Sequence, residues 1–114
     1  MAKLSDETLT MIFNLLRQLA EGIENACLTE WIFFEQYGET PRTTSELEEL
    51  QNVRERLNQS YSRLNTLLLK TLEAQPIASN DIADLLEKVI YEGQANLEAS
   101  NASVQEIKKG WNLP

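Results

Sequence analysis

Residues 29–39, TEWIFFEQYGE, decide how this chain folds. Trp31, Ile32, Phe33 and Phe34 stand in a row, with no glycine or proline before Gly38. A strand would bury alternate members of such a run, whereas a helix spreads them around most of its circumference. The residues upstream select the helix. Leu9, Ile12, Leu16, Leu19, Ile23, Ala26, Phe33 and Tyr37 keep a three-four spacing broken only at Glu30, and Phe13, Ala20, Cys27 and Phe34 widen that stripe. On this register Phe33 and Phe34 face the core, while Trp31 and Ile32 project sideways or outward.

The ends of this helix are written in the sequence as well. Ser5 precedes Asp6 and Glu7, whose charges suit the positive end of a helix dipole, and Leu4 and Leu9 have the spacing of a hydrophobic staple around a Ser5 cap. Gly38 fits the position just past the helix end, and Pro41 opposes continuation. A second helix starts within a turn of Thr43 or Ser45, each of which forms a capping-box pattern with the glutamate three residues on. Its inward stripe is Leu47, Leu50, Val53, Leu57, Tyr61, Leu64, Leu68 and Thr71 or Leu72, and Pro76 ends it. A third helix is capped by Ser79 or Asn80 and turns Ile82, Leu86, Val89, Gly93, Leu97, Ser100, Val104 and Ile107 inward. Lys108 and Lys109 complement its negative end, and Gly110 closes it with Trp111 folding back on Ile107.

The expected fold is therefore all-α: one domain over residues 1–114, an elongated antiparallel three-helix bundle with helices over about 6–37, 45–74 and 80–109. Each helix is about 45 Å long at the standard rise. An alternative breaks the first helix near Gly22 and gives a four-helix bundle. The second half of the third helix is rich in small and polar residues, which predicts the least stable element; Gly93 is placed opposite Tyr61 as a large-small fit.

Composition limits the chemistry. The chain has 114 residues, a net charge of −8, one cysteine and no histidine. Cys27 forms no intrachain disulfide, and zinc sites and histidine acid–base chemistry are absent or need a partner chain. The acidic balance disfavours nonspecific binding to nucleic acid or to an anionic membrane. The N-terminal MAKLSDETLT lacks the apolar core of a signal peptide, and no apolar run is long enough to span a bilayer, so the expected location is cytoplasmic. Two glycosylation sequons, at Asn58 and Asn101, carry little meaning there and fall within helices.

Four groups of residues are candidates for function. Leu28, Trp31 and Ile32 form an apolar patch outside the core stripe, with Trp111 and Leu113 adjoining it at the same end of the bundle. Either the C-terminal GWNLP tail covers this patch or another protein does. Contiguous apolar surface around a tryptophan favours association, and a symmetric homodimer is the simplest closed form. Glu21 and Glu24, and Glu46 and Glu49, each have the Glu-x-x-Glu spacing that sets two carboxylates one turn apart for a divalent metal. The all-helical nucleotide pyrophosphohydrolases use such a motif followed by Glu-x-x-Asp on a neighbouring helix. Here the second motif is missing, and Asp81 and Asp84 are only a loose substitute.

Arg56, Arg63 and Lys70 recur every seven residues as a basic line that could meet phosphates, or could pair with nearby glutamates. Glu30 stands at a core position of the pattern and needs a partner or a wet location; Arg54, on the second helix, is the candidate. Cys27 has no adjacent general base and is expected to be a small hydrophobe. The expected function is a non-catalytic, self-associating interaction protein without a cofactor. A metal-dependent nucleotide hydrolase and an accessory subunit of a nucleic-acid complex are the alternatives.

Overall fold

The computed structural model describes residues 4–74 and 80–114. Three helices follow one another, α1 (Asp6–Tyr37), α2 (Thr44–Glu73) and α3 (Asn80–Gly110), packed up, down and up into a rod of 56 × 21 × 17 Å. Helix α2 packs extensively against both of its neighbours, and α1 and α3 meet along a narrower seam. Pro76 and Ser79, the expected stop of α2 and one of two expected caps of α3, lie outside the described residues.

Helix α1 runs unbroken through Gly22, which excludes the four-helix alternative. A single glycine costs a helix about 1 kcal/mol, and here that cost is offset by packing. A Cβ at Gly22 would lie 3.0 Å from Leu57 Cδ1 and 3.3 Å from Leu97 Cδ1, so side chains of both α2 and α3 close on the bare backbone of α1 here. Gly93 plays the same part on α3, against Leu15 of α1 rather than the expected Tyr61, which is 36% exposed.

The core holds Ile12, Leu19, Ala26 and Phe33 of α1, Leu50, Val53, Leu57 and Leu64 of α2, and Leu86, Val89 and Val104 of α3, all buried. The second flank of the α1 stripe is the reverse of the expected one. Leu15, Gly22 and Thr29 are buried, whereas Phe13 is 56% and Phe34 48% exposed. Both sets recur every seven residues beside the core stripe. The small set is buried because glycine and threonine let neighbouring backbones come close, which rows of phenylalanine would prevent. On α2 the same exchange replaces Tyr61 with Ser60, whose Oγ accepts a hydrogen bond from Asn96 Nδ2 at 3.0 Å, and Thr71 is buried while Leu72 is exposed.

The helix ends show which caps formed. Ser5 Oγ accepts from the Thr8 amide at 3.1 Å, and Leu4 and Leu9 both pack on the core, as a capped and stapled start requires. Gly38 has φ +68° and its N–H donates to Phe34 O at 2.8 Å, the left-handed closure that favours glycine. Thr43 precedes α2 but makes no capping box. Its buried hydroxyl instead donates to Gly38 O at 2.8 Å and accepts from the Thr40 amide at 2.9 Å, which locks the turn between the helices.

Nor does Gly110 close α3, since it is still helical. The left-handed residue is Asn112, with φ 55°, and Leu113 N–H donates to Lys108 O at 2.9 Å in the six-to-one bond of a Schellman motif. That turn swings Trp111 onto α1. Its ring sits 4.9 Å from Phe33 and 5.0 Å from Tyr37, both edge-on, so it caps the core rather than returning only to Ile107.

Candidate interaction face

The aromatic run of α1 divides between two sides of the helix. Phe33 is completely buried, and Trp31, two residues and about 200° away, is 62% exposed. Leu28 is 52% exposed, and Ile32 is half-buried. The tail does not cover Trp31. Trp111 and Leu113 pack against the core at the end of the bundle, so of the five expected contact residues these two are partly buried and structural, while Leu28 and Trp31 remain open.

Trp31 belongs to a groove between α1 and α2. With Cys27 and Phe34 it forms one wall, and Leu47, Gln51 and Arg54 of α2 form the other, around an open volume of about 640 Å³. Phe34, which its seven-residue series with Phe13, Ala20 and Cys27 places in the core, instead lines this groove, because the series of Leu15, Gly22 and Thr29 occupies the buried flank. Glu39 and Glu48 rim the groove and make it acidic at its outer end. Glu30 and Arg54 meet across it, Arg54 Nη1 to Glu30 Oε1 at 3.4 Å, both about one-third exposed. This is the partner expected for Glu30, at a wet edge of the bundle.

The acidic pairs lie apart from one another. Glu21 pairs with Arg17 at 3.0 Å on the surface of α1 and lines a polar cleft toward α3 with Gly22, Asn25, Gln94, Leu97 and Asn101. Asp84 is ten residues, about 15 Å along α3, from Gln94 of that cleft. Glu24 is exposed on the outside of α1. Glu49 pairs with Arg56 at 3.2 Å and lines, with Glu46, Glu106 and Trp111, a second cleft, where Glu46 Oε2 is buried and has no hydrogen-bond partner among the described residues. Among the described residues, no three acidic or cysteine side chains converge to hold a metal ion.

The basic line on α2 is largely engaged within the chain. Arg56 holds Glu49, and Arg63 Nη1 reaches Glu92 of α3 at 3.3 Å. Lys70 borders a shallow apolar groove with Leu67, Leu85 and Val89. No described helix is long and apolar enough to cross a membrane. Comparison of the chain with family models, with curated proteins and with solved structures yields no match.

Proposed function

We propose that this chain is a non-catalytic helical interaction protein that self-associates through the apolar α1–α2 face around Trp31. One observation carries the reading: Trp31 is 62% exposed beside Phe34 at 48%, in a groove whose opposite wall holds Leu47. Tryptophan is the residue most often found at the energetic centre of an interface, and burying a side chain of its size stabilises association by about 2 kcal/mol or more. Among the described residues, nothing else occupies the groove. The acidic rim and the Glu30–Arg54 pair give the apolar floor a polar border, the arrangement of a recognition surface with a dry centre and wet edge.

Light scattering over a concentration series tests this reading. The wild-type chain is expected to double in mass as concentration rises, and Trp31→Ala to shift that transition at least tenfold higher in concentration with its helicity intact. A wild-type chain that stays monomeric throughout, or a Trp31→Ala variant that associates as tightly, refutes it.

A further inference from the structure

Helix α3 is held in two different ways along its length. Its first half buries Leu86, Val89 and Ile90 close together, with Ile82 packed beside them. From Gly93 onward the buried positions are Gly93, Ser100, Val104 and Ile107, and Leu97, Trp111 and Leu113 pack only partly against the core. The polar atoms buried without a hydrogen-bond partner gather on this second half. Among the described residues these are Thr29 Oγ1, Glu46 Oε2 and Ser100 Oγ. Ser100 belongs to the half itself. Leu15, Gly22 and Thr29 share the side of α1 that faces α3. Leu15 meets Gly93 and Phe33 meets Trp111, so Thr29, between them, lies level with the last turns of α3. Glu46 of α2 lines a cleft with Ile107, Gly110 and Trp111. Each of the three groups gives up hydration in the closed bundle and gains no hydrogen bond in return, which offsets part of the apolar burial at this end.

Chain connectivity points the same way. At this end α1 and α2 are joined by the turn that Thr43 locks onto Gly38, whereas α3 is attached to them by noncovalent contacts alone. Those contacts are the Trp111 ring against Phe33 and Tyr37, Lys108 Nζ donating to Asn25 Oδ1 at 3.1 Å, and the packing of Val104 and Ile107. Gly93, without a side chain, is the weak point of the helix interior where the two halves meet. We infer that residues 94–110 form a strap that lifts off α1 and α2 as a unit, hinged at Gly93 and latched by Trp111, while the first half of α3 stays in place. Lifting it returns the three orphaned groups to water and uncovers Phe33, which is completely buried in the closed bundle. Phe33 and Trp31 lie on opposite sides of α1, so the strap is independent of the self-association proposed above.

Native-state hydrogen exchange, followed residue by residue by nuclear magnetic resonance, reads this opening. In the wild-type chain the amides of residues 97–109 are expected to exchange together, at roughly tenfold or more the rate of residues 86–92 and of residues 57–64 in the middle of α2. Trp111→Ala is expected to speed the strap at least tenfold. Val89→Ala weakens the half that stays in place, so it is expected to speed exchange in α2 while leaving the strap unchanged to within about twofold. Equal rates in the two halves of α3, a first half that exchanges faster than the second, no acceleration by Trp111→Ala, or a strap sped by Val89→Ala as much as α2 is, overturns the inference. The wild-type comparison decides by itself should Trp111→Ala not fold.

Discussion

The Tyr37 hydroxyl donates to the backbone carbonyl of Trp111 at 2.8 Å, tying the last residue of α1 to the first residue beyond α3. Phe33, Tyr37 and Trp111 stack around that bond, with ring centres between 4.9 and 5.4 Å apart. This aromatic clasp holds the C-terminal turn on the half of α3 that has the fewest large apolar side chains, and it leaves Trp31, on the other side of the same helix, uncovered.

The clasp gives two separable losses. Tyr37→Phe removes a solvent-accessible hydrogen bond and is expected to cost about 0.5–1 kcal/mol. Trp111→Ala removes the ring that covers Phe33 and is expected to cost about 2 kcal/mol or more. Urea unfolding followed by far-ultraviolet circular dichroism measures both, and equal losses would show that the ring stacking contributes nothing.

The end of α3 predicts opposite effects at neighbouring residues. Gly110 is helical and has open space around its α-carbon, so Gly110→Ala should stabilise by about 0.5–1 kcal/mol. Asn112 is left-handed at φ 55°, so Asn112→Ala should destabilise by about 1 kcal/mol, and Asn112→Gly should be neutral or better. Thermal melts of the three variants check the order; stabilisation by Asn112→Ala would contradict the cap.

Two buried hydroxyls are expected to cost stability. Among the described residues, Thr29 Oγ1 and Ser100 Oγ are buried without hydrogen-bond partners, in residues 1% and 0% exposed. Thr29→Val and Ser100→Ala keep the shape and remove the unsatisfied group, which should raise stability by about 1 kcal/mol each. A lowered denaturation midpoint for both would mean that the hydroxyls have partners in solution.

The Glu30–Arg54 pair is expected to be weak. Both side chains are about one-third exposed, so a double-mutant cycle through Glu30→Gln and Arg54→Met should give a coupling of about 1 kcal/mol or less, falling with added salt. A coupling of several kcal/mol, insensitive to salt, would place the pair in a dry interior.

Much of this protein is determined by its sequence alone. Apolar spacing and helix punctuation specify three long helices: the Ser5 cap and Gly38 closure sit where the local pattern puts them, because capping depends on a few neighbouring residues. The pairing of Glu30 with Arg54 was legible too, since a carboxylate in an apolar stripe calls for a cation within reach. Tertiary packing decided which flank of α1 is buried. Phe13, Ala20, Cys27 and Phe34 have the same period as Leu15, Gly22 and Thr29, and hydrophobicity alone favours the aromatic set. The bundle buries the smaller set because helix backbones approach most closely over glycine and small side chains, a gain that exists only once α2 and α3 are in place. The same choice turned Trp31 and Phe34 outward, and so created the face on which the proposed function rests.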